Sequence, residues 1–155
     1  MIIIEDSRQH AGKHELKHNQ FSFLDVFIHR CKLPVGDYSL PPERAVDTKA
    51  SLSEIAENIG GSRKEHNRFI NELKLAQKLG TKLYVLVENE DYIRSIDDVP
   101  RWVNPRTEYS PNCIQGPRLA KAMHTIEDRY GCTFLFCTPI EAAERIKELL
   151  GDKDV

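Results

Sequence analysis

An α/β domain with a mixed central sheet and helices on its faces is the fold class this sequence predicts, on three observations. Leu83-Tyr84-Val85-Leu86-Val87 is an unbroken apolar run, the pattern of a central strand covered on both faces. Two long segments, about Arg63 to Leu79 and Gly116 to Tyr130, carry apolar residues at helical spacing. Several short strand-like runs come first, and helix, strand, helix, strand and helix then alternate.

Taken in order, Met1 to Glu5 reads as a buried strand ending at Asp6. Ser7 to Gln20 is polar and interrupted by Gly12, with room for a short helix near Lys13 to Asn19. Phe21 to Leu33, with Val26 and Ile28, reads as a second strand. Tyr38 to Leu40 and Ala45 to Lys49 flank the turn-forming Pro41-Pro42 and predict a hairpin. Ser51 or Ser53 caps a helix with Leu52, Ile55, Ala56 and Ile59 on one face, ended by Gly60-Gly61. The helix from Arg63 buries Phe69, Ile70, Leu73, Ala76 and Gln77, and Gly80 stops it. Asn89 to Gln115 lacks periodicity and reads as a long loop with one helical turn, a length that is usually functional. Gly116-Pro117 opens a helix whose core face is Leu119, Ala122, Met123 and Ile126. Phe134 to Cys137 is a further strand, and Pro139 starts a last helix around Ala142, Ala143, Ile146, Leu149 and Leu150.

A chain of 155 residues with 40% hydrophobic and 30% charged residues is one globular domain, 1–155, rather than a disordered segment. The apolar opening Met1 to Ile4 runs straight into Glu5-Asp6, too short for a signal peptide or membrane span, so a cytoplasmic location is expected. Cys31, Cys113, Cys132 and Cys137 form no C-x-x-C pair and read as free thiols. The net charge of −2 hides an uneven distribution. Arg63 to Lys82 holds six Lys/Arg against two Glu; Leu83 to Pro100 holds one Arg against five acids; Arg101 to Lys121 holds four against one. That asymmetry permits a local phosphate-binding face, and ordinary solvated helix faces fit it equally well.

The chemistry concentrates in Leu33 to Ile59. Positions two apart on a strand share a face, so Asp47 and Lys49 project together while Val46 and Thr48 face away. The hairpin folds Asp37 back beside them, and Asp6 at the end of the first strand joins the cluster. Hard carboxylate oxygens suit Mg²⁺ or Mn²⁺, and a neighbouring ammonium orients or deprotonates a water and offsets charge on a phosphate.

The ordered series Ile3-Ile4-Glu5-Asp6-Ser7-Arg8, Leu33-Pro34-Val35-Gly36-Asp37-Tyr38, Val46-Asp47-Thr48-Lys49 and Lys82 to Glu88 resembles the nuclease domain of the XPF family. That family belongs to the PD-(D/E)XK superfamily, so the resemblance implies a restriction-endonuclease-like core, and it is nearest to single-domain phage or bacterial members. It implies that Asp37 and Asp47 bind the metal with the backbone carbonyl of Thr48, and that Lys49 positions the water. Asp6 is implied as a further metal or water-network acid, with Arg8 contacting it or the phosphate. The sequence departs from the family at Asp47-Thr48, where V-E-R-K has glutamate and arginine, and at Gln9, which replaces an acid. Ser53 stands where a later acid is usual, with Glu54 one place on, and a single nuclease domain without the tandem helix-hairpin-helix region of eukaryotic relatives is expected.

The expected activity is therefore divalent-metal-dependent hydrolysis of DNA phosphodiesters, on branched or partly single-stranded substrates such as arise in repair or recombination. A non-catalytic DNA-binding or replication-accessory module is the alternative, and an RNA nuclease the third. Arg8, Arg68, Arg118 and Lys121 are the candidate DNA contacts, although Arg68 and Glu72, one turn apart, also suit an exposed ion pair. Trp102 either plugs its loop into the core or joins Arg106, Arg118 and Lys121 in a surface for a splayed strand. His10, His14 and His18 are spaced for one helix face, a zinc pattern weakened by Gly12; DNA contact or plain exposure fits them better. Relatives pair through later helices, which implies a homodimer through the helix from Gly116 or the last one.

Overall fold

The chain, a computed structural model, is described over residues 1–40 and 43–151, and those residues build a six-stranded mixed sheet between two helical layers. The strands are β1 (Ile2–Asp6), β2 (Phe27–Cys31), β3 (Tyr38–Leu40), β4 (Arg44–Lys49), β5 (Lys82–Glu88) and β6 (Thr133–Cys137). Their spatial order is β2-β1-β3-β4-β5-β6. β3 runs antiparallel to both neighbours, while β1–β2, β4–β5 and β5–β6 are parallel. The fold class expected from the sequence is the one observed.

The helices are α1 (Glu15–Phe23), α2 (Leu52–Gly60), α3 (Arg63–Leu79), α4 (Gly116–Tyr130) and α5 (Ala142–Gly151). α2, α3 and α4 cover one face, where Leu52, Ile55, Phe69, Leu73, Leu119 and Met123 meet Val85 and Val87. α1 and α5 cover the other, where Phe21, Ile146 and Leu149 meet Ile3, Val46 and Leu86. Alternation along β5 sends Leu83, Val85 and Val87 to the first core and Tyr84 and Leu86 to the second, which is why that strand reads as continuous apolar sequence. Leu52 and Ile55 are essentially inaccessible to solvent, and each such side chain contributes about 2 kcal/mol of burial, which fixes α2 beside the end of β4.

The β3–β4 hairpin pairs Tyr38 with Val46, Ser39 with Ala45 and Leu40 with Arg44. The Pro41-Pro42 turn expected between its strands lies outside the described residues. Ser51, not Ser53, caps α2, its hydroxyl accepting from the Glu54 N–H at 3.1 Å. Glu54 in turn accepts from the Ala50 N–H at 2.7 Å, a reciprocal arrangement close to a capping box.

Four boundaries differ from expectation. The strand expected over Phe21 to Leu33 is shorter: Phe21–Phe23 is the last turn of α1, and the chain reverses at Leu24-Asp25 (φ of Asp25 is 56°) before β2 begins at Phe27. An apolar series at mixed spacing does not separate a helix end from a strand. The short helix expected near Lys13 to Asn19 is present but longer: a 3₁₀ turn, Ala11–His14, runs into α1, which continues to Phe23. The expected loop after β5 holds two 3₁₀ segments, Ile96–Arg101 and Pro105–Glu108, the second capped by Asn104 accepting from Arg106 N–H. α5 starts at Ala142, not at Pro139, and on the core faces Ala120 outranks Ala122 while Gln77 is exposed.

Candidate active site

β4 ends under α2 and α3, and the strand period turns Asp47 and Lys49 toward that layer while Val46 points to the opposite core. The antiparallel pairing of β3 with β4 brings the Gly36-Asp37 turn alongside, and Asp37 N–H donates to Val46 O at 2.9 Å. β1 lies next to β3, and Asp6 N–H donates to Asp37 O at 2.8 Å, so a third acid arrives at the same edge. Together Asp6, Asp37, Asp47, Lys49 and, from α3, Arg68 and Glu72 line one cavity of about 540 Å³.

Each acid is held differently. Asp37 Oδ2 accepts from both the N–H (2.9 Å) and the hydroxyl (2.6 Å) of Thr48, and Oδ1 accepts from the Gln9 amide at 2.8 Å. Asp6 takes the Arg8 guanidinium through Nε, at 3.1 Å to Oδ1 and 2.9 Å to Oδ2, and also the Leu33 N–H at 3.1 Å. Asp47 Oδ2 lies 2.8 Å from Lys49 Nζ, and both side chains are about nine-tenths buried. Burial, with the carboxylates of Glu72 and Asp37, pushes the Asp47 carboxyl up to about 7 against the pull of Lys49. Burial also pulls Lys49 down, but Asp47, Glu72 and Glu54 outweigh it and hold the ammonium above its usual range. Lys49 Nζ sits 5.3 Å from the centre of the Phe69 ring, a cation–π contact that fixes its direction.

The structure thus brings Asp6, Arg8, Asp37, Asp47, Lys49 and Arg68 to one cavity, with Arg68 exposed at its wall. Glu72 has another partner than the one its spacing from Arg68 suggested: it accepts from Gly36 N–H at 2.9 Å and so holds the turn that delivers Asp37. Thr48, expected to face away from the acids, turns its hydroxyl to Asp37. Gln9, which entered the sequence reading only as a lost acid, supplies a donor to Asp37. Neither contact leaves a signal in one sequence, because both depend on which strands become neighbours. The Ser51-x-x-Glu54 signature was available and explains why Glu54, although at the cavity, is engaged at the start of α2.

Other candidates lie elsewhere. Arg118 and Lys121 sit on the exposed side of α4 and do not line this cavity. Trp102 is buried in the α2–α4 core and Arg106 pairs with Glu57, so the open basic and aromatic surface is not assembled. The three histidines do not share a face. His10 is exposed, His18 binds Glu5 at 2.6 Å, and His14 is buried edge-on against Tyr38 with its ring centre 5.3 Å away. Among the described residues no three His, Cys, Asp or Glu side chains form a ready metal cage, and the four cysteines are free.

The donor set nonetheless fits a Mg²⁺- or Mn²⁺-type ion. Such ions are held through one or two carboxylates with the remaining positions in water, and Asp37 and Asp47 supply two hard-oxygen groups in one cavity. Burial disfavours the charged form of Asp47, and the cation facing it is Lys49 at 2.8 Å.

No family model matches the sequence, and no curated protein matches it. Solved structures do. XPF from Aeropyrum pernix superimposes with a TM-score of 0.70 at 20% identity over 97% of this chain and 63% of that one. The same XPF in complex with DNA gives 0.68 at 19% identity over 96% and 62%. The chain spans less than two thirds of the XPF chains it matches. The α/β architecture is therefore of the restriction-endonuclease-like class. Within that class it is the fold of XPF.

Proposed function

We propose that this chain is a divalent-metal-dependent DNA endonuclease, with Asp37 and Asp47 as metal ligands, Lys49 as the group that positions the attacking water, and Asp6 as an accessory acid. The observation that carries this reading is the convergence of two buried aspartates and a buried lysine from adjoining strands in a single open cavity. A bound Mg²⁺ or Mn²⁺ would lower the pKa of a water and neutralise phosphate charge. The residues supply the rest. Lys49, set 2.8 Å from Asp47 and over the Phe69 ring, is placed to orient the water and offset charge growing on the phosphate. Arg8 braces Asp6, and Thr48 and Gln9 fix the Asp37 carboxylate in one direction. Arg68 stands at the exposed wall, where a phosphate backbone entering the cavity meets it. The XPF complex with DNA supports a nucleic-acid partner for this fold.

The test is cleavage of branched, duplex and single-stranded DNA with Mn²⁺ and then with EDTA. The reading expects cleavage with metal only, and loss of it in Asp37→Asn and Lys49→Ala with the melting temperature little changed. Full activity in either variant, or cleavage in EDTA, overturns it.

A further inference from the structure

Four cations line the cavity of the candidate site: Arg8, Lys13, Lys49 and Arg68. Two are already committed to acids, Arg8 to Asp6 at 2.9 Å and Lys49 to Asp47 at 2.8 Å. Six carboxylates share the same lining, so a polyanion entering it depends on the cations that remain. Those are Arg68 and Lys13. Arg68 stands on α3, which packs over β5, whereas Lys13 follows β1 on the other side of β3. In sheet order Asp37, just before β3, and Asp47, on β4, lie between them.

Lys13 is an exposed side chain on a fixed base. Its N–H donates to His10 O at 3.0 Å within the 3₁₀ turn Ala11–His14, and the next residue, His14, is buried edge-on against Tyr38. Lys13 Nζ donates to Gln9 Oε1 at 2.9 Å, and Gln9 Nε2 donates to Asp37 Oδ1 at 2.8 Å. An ammonium only donates and a carboxylate only accepts, so the amide between them has a single orientation. Gln9 is itself tied down, its N–H to Asp6 O at 3.3 Å and its carbonyl to the Arg30 guanidinium. These bonds keep Lys13 Nζ no more than about 8 Å from Asp37 Oδ1, with the amide interposed. The ammonium is thus held off an ion on Asp37 and faces the next phosphate along a strand.

From this arrangement we propose that Lys13 grips the DNA phosphate next to the scissile one, on the side of the ion site opposite Arg68, with Gln9 as the bracket that aims it. The proposal rests on the nuclease reading above. Such a contact carries no sequence information; it fixes the register of the strand over Asp37 and Asp47. Arg118 and Lys121, on the exposed side of α4, are then off the path of the strand.

The test is binding of a short labelled DNA duplex by the full chain in EDTA, measured over a range of KCl concentrations. Each phosphate contact contributes about 0.9 to the slope of log affinity against log salt. Lys13→Ala, its melting temperature checked against the parent, is expected to bind several-fold more weakly at low salt and to lose about one unit of slope, while Lys13→Arg keeps both. Lys121→Ala removes the same charge from α4 and should leave the slope where it was. An unmoved slope in Lys13→Ala overturns the contact, as does an equal loss in Lys121→Ala, which would make net charge the cause. Cleavage by the parent with Mn²⁺ is scored separately. A flattened slope without cleavage removes the nuclease reading and keeps the phosphate grip; cleavage with an unmoved slope does the reverse.

Discussion

Asp37 and Thr48 are joined twice: one carboxylate oxygen accepts the Thr48 N–H at 2.9 Å and its hydroxyl at 2.6 Å. The contact crosses from the start of β3 to β4, so the hairpin and the orientation of the acid are set by the same bonds. Thr48→Val keeps the shape and the N–H but removes the hydroxyl. Hydrogen bonds to charged groups are worth about 1.5–3 kcal/mol, so urea denaturation near pH 8 should show a loss in that range. Thr48→Ser should recover most of it. A valine variant as stable as the parent would show that the hydroxyl contributes nothing to the hairpin.

The turn before Asp37 depends on Gly36 and Glu72. Gly36 has φ +76°, and a methyl group there would meet Val46 O at 3.0 Å. Glu72 accepts its N–H and also lifts the pKa of Asp47. Glu72→Gln retains an acceptor for Gly36 and removes the charge. The Asp47 carboxyl should then ionise at lower pH, and the acid limb of kcat/KM for cleavage should move down in step. An unmoved limb with normal stability would detach Glu72 from the electrostatics of the site.

The Asp47 pKa of about 7 makes a definite pH statement for the metal-free protein. A carboxyl whose folded pKa lies above its unfolded value of 3.8 binds more protons when folded, so stability falls as pH rises from about 4 to about 7 and is level outside that window. Asp47→Asn lacks this titration. In EDTA its stability relative to the parent should rise across the window, at no more than ~1.4 kcal/mol per pH unit. Mg²⁺ should then stabilise the parent at pH 8 and leave the asparagine variant nearly unaffected. Parallel pH curves for the two proteins would show that Asp47 ionises normally.

Much of the fold was readable because local signals agreed with it. The Leu83 to Val87 run, the Ser51 cap and the Asp47-x-Lys49 spacing each follow from strand or helix period, and the structure keeps all three. What stayed hidden depends on strand order. Gln9 reaches Asp37, and Glu72 reaches Gly36, only because β1 and β4 flank β3 and α3 lies over them. Trp102 shows the other limit. Composition made it either core or surface, and it is core with one margin left on a cavity.

The same hidden logic produced the Lys17–Glu88 pair, which no local pattern announces. Lys17 Nζ lies 2.7 Å from Glu88 Oε2, and both side chains are more than nine-tenths buried on the face away from the candidate site, tying α1 to the end of β5. Removing one member leaves the other as an uncompensated buried charge, which typically costs about 3–5 kcal/mol. Replacing both by apolar residues of similar volume is close to neutral, because the desolvation of two ions is also removed. Lys17→Met and Glu88→Leu should therefore each be strongly destabilising in urea denaturation, while the double variant should recover most of the loss. Additive losses would mean that the pair does not act as a unit, leaving the His18–Glu5 bond and the Phe21 contacts as the ties of α1 to the sheet.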